Sequence, residues 1–275
     1  MIMLGYAIMC LIFSTTFLAI KIGVDAGLPP FWGAGVRFFI AGLLLMLILR
    51  LSGKASFSLL WRRETLLIGA SMTFITFAAL YWAEQYVTSG VGALLSATGP
   101  AMVLLIRALV LKVNVPRLAF IGAFIGVGGV AVLMLPGLSG SVHGLWMIAC
   151  AVVIIGELGY ASGAVYSKQV SSAMNGISPI AQNAAQLIHG GWMLLLLSLI
   201  TERGQIHFQT MLEPQALSSL IYLIIVGSMG GHTLFYWLVA RTNPVFPSTW
   251  LYISPVLALL IGWGLYGEPL SWLVA

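Results

Sequence analysis

At 275 residues, the chain is 60% hydrophobic and only 7% charged, with a mean hydropathy of +1.05. Soluble domains carry about 25% charged residues, so lipid is the solvent for this chain and little is left for a soluble domain. Its net charge of +5 arises from Lys and Arg placed between apolar runs, where they set membrane orientation; nucleic-acid binding gains no support from it.

One membrane span takes about 20 apolar residues. Apolar runs bounded by Pro, Gly or charged interruptions predict spans near 3–22, 31–50, 65–84, 90–111, 117–135, 144–167, 179–200, 216–239 and 246–266. The first run lacks a charged leader and a convincing cleavage site, so it reads as a span and not as a removed signal peptide. Pro100 and Pro255 fall inside the fourth and ninth runs. Proline there frees a carbonyl and kinks a helix, which suits gating or a static bend absorbed by packing. Cys10 and Cys150 lie within apolar runs, which argues against a disulfide framework or a thiolate metal site. A tenth span begins at Ser271 and stops at Ala275; matching repeat lengths leaves roughly 15 residues to be expected beyond it.

Tyr81-Trp82 and Pro100 recur as Tyr236-Trp237 and Pro255 at one offset of 155 residues (236 − 81 = 255 − 100). The same offset carries Leu104-Leu105-Ile106 onto Leu259-Leu260-Ile261. Pro136 to Ser141 is a cluster of turn formers between the two copies. The predicted fold is therefore an all-α polytopic membrane protein built from two five-helix repeats, residues 1–138 and 139–275, the last helix incomplete. An odd number of helices per repeat inverts the second copy, as in many secondary transporters. With the N-terminus in the cytoplasm, the inner connections hold Arg50, Lys54, Arg62, Arg63, Lys112, Arg117, Lys168 and Arg241, against Lys21 and Arg203 outside. The positive-inside rule selects that orientation.

Glu157 sits mid-span with no basic residue within a helical turn. An intramembrane carboxylate is costly and must face a cavity, find a partner or hold a proton, so Glu157 is the leading candidate for substrate or proton binding. His232, in Gly230-Gly231-His232, is the second, because an imidazole changes charge near neutral pH; the plainer reading is a donor to a carbonyl. Arg37 could hold a carboxylate or phosphate through its planar fork, or snorkel to the nearby span end. Tyr81, Tyr160, Tyr236, Trp237 and Trp250 could line an aromatic cavity. Tyr160 follows Glu157 by three residues and Tyr236 follows His232 by four, which places each pair on one helix face. No HxxxH spacing points to a metal and no cofactor is indicated. Gly126-Val127-Gly128-Gly129-Val130-Ala131 matches a nucleotide fingerprint only formally, since it has no strand before it and no acidic residue after it. Gly122 and Gly126, like Gly227 and Gly231, instead form small-residue faces for close helix approach. Neither a Walker A sequence nor a Gly-x-Ser-x-Gly elbow is present.

Ser14-Thr15-Thr16-Phe17 through Pro29-Pro30, then Arg37-Phe38-Phe39-Ile40-Ala41-Gly42, resembles the opening of EamA-type members of the drug/metabolite transporter superfamily. Pro255 followed by Tyr266-Gly267-Glu268-Pro269-Leu270 is similar to that family's closing signature. The resemblance implies ten helices as two inverted repeats, with a central cavity that takes in Glu157, Tyr160, Tyr81, His232, Tyr236 and Trp250. Val113 stands where the first repeat would match Glu268, a departure from a mechanism that needs both glutamates. The implied function is a secondary transporter, not an enzyme, in the inner membrane. It would export a small organic solute, an amino acid or related metabolite, with proton coupling through Glu157, and with His232 as its candidate partner, as a further expectation. The alternatives are a non-transporting membrane enzyme or scaffold, a channel, and a carrier of phosphorylated or nucleotide-linked metabolites. Oligomeric state is not legible.

Overall fold

In a bilayer the backbone must satisfy its own hydrogen bonds, and helices do so within a single segment. The computed structural model describes residues 1–83, 86–87, 89–134, 144–173 and 178–266, and every regular element among them is helical. Apart from a short 3-10 helix at Phe57–Trp61, in chain order these are α1 (Ile2–Asp25), α2 (Pro30–Leu51), α3 (Arg63–Ala83), α4 (Ser89–Ser96), α5 (Gly99–Val110), α6 (Arg117–Met134), α7 (Gly144–Ala173), α8 (Pro179–Thr201), α9 (Phe208–Leu212), α10 (Pro214–Arg241), α11 (Val245–Ser248) and α12 (Trp250–Tyr266). Six of them (α1, α2, α3, α7, α8 and α10) are long and apolar enough to cross a membrane. The joint at 136–141, the Gly267-Glu268-Pro269 signature, the start of a tenth span and the Lys21 side chain lie outside the described residues.

Two predicted spans are corrected. The run 90–111 is not one kinked helix: α4 stops at Ser96, Ala97 and Thr98 form a turn, and Pro100 lies in the first turn of α5. The Thr98 hydroxyl donates to the Leu95 carbonyl at 2.6 Å, and a proline at a first helical position loses no hydrogen bond. The ninth run is likewise α11 and then α12, with Pro255 inside α12.

The most extensive helix pair is α2 with α8. Apolar burial does not drive helix association in lipid, so close approach through small residues and interhelical polar bonds must do so. A Cβ at Gly42 would stand 2.7 Å from the Ile188 backbone nitrogen, and one at Gly35 would stand 2.9 Å from that of Leu195. Gly191 meets the Phe39 backbone in the same way. The Glu202 carboxylate accepts the Phe31 and Trp32 amides at 2.9 Å each, and Ser198 Oγ donates to it at 2.7 Å. It supplies the N-terminal anion that the Pro29 cap cannot give α2.

Around that pair, α3 packs on α7 and α8, while α10 packs on α1 and α2. Both α3 and α10 contain π-helical stretches, Gly69–Ile75 and Leu223–His232. The offset of 155 carries 69–75 onto 224–230, inside the second stretch (69 + 155 = 224; 75 + 155 = 230). Gly227 and Gly231 pack closely, as their spacing predicts, against Thr16 and Phe13 of α1. Of the other pair, Gly126 packs on Tyr252, but a Cβ at Gly122 would meet nothing within 4 Å. Leu118, Phe124 and Ile125 of α6 are among the large apolar residues left exposed, as a lipid-facing helix requires.

Candidate functional site

Where α4 breaks, α7 delivers its carboxyl group. Glu157 is 4% exposed, Ser96 hydrogen-bonds its side chain, and its Oε2 has no partner. A Cβ at Gly99 would lie 2.5 Å from that oxygen and 3.4 Å from Tyr160 Cδ1, so glycine at this turn makes the room that the carboxyl occupies. The Tyr160 hydroxyl donates to Ser248 Oγ and accepts from Trp250 Nε1, both long at 3.3 Å. Tyr6 and Thr249 join hydroxyls at 2.6 Å, and the Tyr6 ring lies 4.7 Å from Phe246. Helices α1, α7, α11 and α12 thus close this region with a polar and aromatic layer toward the end of the bundle that carries the N-terminus.

A second group gathers around Arg37, which is 2% exposed. Its Nε donates to Ser228 Oγ at 2.9 Å, and its guanidinium lies 4.6 Å from the Phe38 ring centre and 6.0 Å from that of Phe77. The Tyr81 side chain hydrogen-bonds it as well, while Nη1 has no hydrogen-bond partner. The sequence left a snorkelling Arg37 open; the structure turns the side chain inward, because Ser228 and the two rings hold it there. A small opening of about 20 Å³, room for about one water, reaches this group past Pro29, Pro30 and Tyr81.

His232 packs its ring among Phe13, Phe38 and Phe77 at centroid distances of 5.3, 5.6 and 6.4 Å. Phe13 also meets Trp250 at 4.5 Å. A continuous aromatic column therefore runs Phe38–His232–Phe13–Trp250–Tyr160, with Arg37 at one end and Glu157 at the other. Of the residues picked from sequence, Glu157, Tyr160 and Trp250 come together, as do Arg37, Tyr81 and His232. Tyr236 does not join them as a free polar group: its hydroxyl donates to Met72 Sδ at 3.2 Å and its ring packs edge-on to Phe235.

Sequence reasoning missed a polar ladder on α8. Thr73 Oγ1 donates to Gln186 Oε1 at 2.5 Å, Gln186 Nε2 to Asn183 Oδ1 at 3.0 Å, and Asn183 Nδ2 to Thr233 Oγ1 at 3.0 Å. Gln182, Asn183, Gln186 and His189 are all buried. The i, i+4, i+7 spacing of Gln182, Gln186 and His189 in an apolar run was the available signal.

The profile of the EamA-like transporter family matches residues 1–135 and again 147–275. The chain belongs to this family. Among relatives of this EamA-like transporter is the protein named "Uncharacterized inner membrane transporter YedA" of Escherichia coli K12, 30% identical over 263 residues, 95% of this chain and 81% of that protein. An Archaeoglobus fulgidus protein named "Uncharacterized transporter" is 25% identical over 93% of this chain and 86% of its own length. Protein PecM of Dickeya dadantii is 27% identical over 88% of this chain and 77% of its own. A solved crystal structure superposes with a TM-score of 0.80 at 16% identity, covering 98% of this chain and 90% of the other, which fixes the shared fold. The EamA-like transporter reading inferred from the first and last motifs therefore holds for the whole chain.

Proposed function

We propose that this transporter is a multi-pass inner-membrane protein, N-terminus cytoplasmic, that exports a small organic solute of the amino-acid or related metabolite class. It works by alternating access between two inverted repeats, residues 1–138 and 139–275, with Glu157 carrying the coupling proton. One observation carries the proposal: of the three ionisable residues with an unpartnered buried side-chain atom among the described residues, Arg37, Glu157 and His189, the first two lie at opposite ends of one aromatic column. Fixed structural charges in lipid are paired, because an isolated one costs several kcal/mol, so unpartnered ones belong to groups that take a ligand or a proton in the working cycle. The matched π-helical stretches in α3 and α10 support the repeat reading, as π turns mark functional positions. The layer of Tyr6, Thr249, Tyr160 and Ser248 at one end and the opening beside Pro29 at the other suit a state closed on one face.

The test is pH-gradient-driven uptake of labelled amino acids into proteoliposomes by wild type and Glu157→Gln. The expected result is uptake by both, accelerated by the gradient in wild type alone. A gradient response that survives Glu157→Gln removes the proton role from this residue.

A further inference from the structure

Arg37 and Gln186 occupy matching places. Helices α2 and α8 each begin with a proline, Pro30 and Pro179, and each turns a polar side chain inward seven residues later (30 + 7 = 37; 179 + 7 = 186). Each side chain meets a hydroxyl within a π-helical stretch, Arg37 with Ser228 and Gln186 with Thr73, and these hydroxyls are themselves 155 residues apart (73 + 155 = 228). Both polar atoms of the neutral member have a partner: Gln186 accepts from Thr73 and donates to Asn183. The charged member differs, since Nη1 of Arg37 lacks a partner. If these positions served only to tie α2 and α8 to their neighbours, an amide would suffice at both, as it does at 186. A guanidinium at 37 adds a charge and donors that its own surroundings leave unused.

We infer that Arg37 is the substrate's carboxylate subsite, entered past Pro29 and Tyr81, and that the transported solute is a monocarboxylate whose apolar part lies along the Phe38–His232–Phe13 column. This rests on the transport reading above and names the chemistry it recognises. Gly227 leaves room beside the subsite, because a Cβ there would lie 2.9 Å from Thr16 Cγ2 and 3.2 Å from Nη2 of Arg37 and crowd both. Nη1 carries two N–H donors and a carboxylate offers two acceptor oxygens. A carboxylate brings one anionic group to one guanidinium, and no second Lys or Arg lines the opening among the described residues to meet the further negative charge of a phosphate dianion. That opening holds about one water in this conformation, so substrate reaches Nη1 when α1, α2 and α3 draw apart at the Pro29 end.

The experiment is a thermal-shift titration of the purified full chain in detergent, with the common L-amino acids and, for leucine and phenylalanine, the carboxamides. At least one acid is expected to stabilise wild type, with its amide binding about 10- to 100-fold more weakly, as loss of a charged hydrogen-bond partner requires. Arg37→Gln should abolish the acid-over-amide preference, and Arg37→Lys should keep part of it by retaining charge without the fork. Ser228→Ala, which loosens the guanidinium but keeps its charge, should retain the preference and serves as the informative variant if Arg37→Gln fails to fold. Equal binding of acid and amide, an unchanged preference in Arg37→Gln, loss of preference only in Ser228→Ala, or no acid binding would each overturn the subsite. Acid binding at Arg37 with no counterflow in liposomes would instead leave the subsite and remove the transport reading; counterflow indifferent to the carboxylate would do the reverse.

Discussion

Placing a methyl group at Gly99 tests whether the α4–α5 break exists to seat Glu157. In Gly99→Ala the new carbon would stand 2.5 Å from Glu157 Oε2 and 2.9 Å from Leu251 Cδ1, where ordinary carbon–oxygen contacts begin near about 3.3 Å and carbon–carbon contacts near about 3.5 Å. The carboxyl must retreat by roughly 0.8 Å, away from Ser96. Overpacking of this size costs about 1–3 kcal/mol, offset by about 0.5–1 kcal/mol from the stiffer unfolded chain, for a net loss near 1–2 kcal/mol. Equilibrium unfolding in detergent micelles measures it, and a double-mutant cycle with Glu157→Ala isolates the carboxyl's part. Without Oε2 only Leu251 and Tyr160 remain in the way, so the expected coupling between the two sites is about 1 kcal/mol. A coupling under about 0.3 kcal/mol would mean that Gly99 does not seat Glu157, and the reasoning would fall.

Replacing Glu202 by Gln leaves one of the Phe31 and Trp32 amides facing an NH2 group, and should cost about 2 kcal/mol in the same unfolding assay. Gly42→Leu forces α2 off the α8 backbone and should abolish folded material in a size-exclusion profile, whereas Gly122→Leu, which meets nothing within 4 Å, should elute like wild type. For the Thr73–Gln186 bond, Thr73→Val alone strands a buried amide oxygen and should destabilise by about 1–2 kcal/mol; Thr73→Val with Gln186→Leu should cost less than the sum of the single changes, because an unpartnered polar group is dearer than an absent one.

Apolar runs gave seven of the nine spans as single helices because lipid imposes length directly. The sixth was read as ending near 167, but α7 continues to Ala173, with Lys168 Nζ donating to the Ala240 carbonyl at 2.6 Å. The fourth was read as one kinked helix because a Gly-Pro pair looks the same whether it bends a helix or starts one. Glu157 and Arg37 were visible as charges in apolar runs. Their surroundings were not: nothing in a chain with 11% aromatic residues says which rings face inward, so Phe13, Phe38 and Phe77 went unnoticed. Gln186 was missed because an uncharged amide raises no alarm in sequence, although burial makes its hydrogen bonds as obligatory as those of Arg37.

Counterflow tests the central claim, a carrier that alternates its access across the membrane, most directly. Proteoliposomes carrying the protein would be loaded with an unlabelled amino acid and diluted into trace labelled solute, across a panel. Alternating access requires labelled solute to overshoot its equilibrium level transiently, saturably, and only when the same or a competing solute is inside. Uptake that rises linearly with concentration and ignores the internal solute would contradict a carrier and point to a pore.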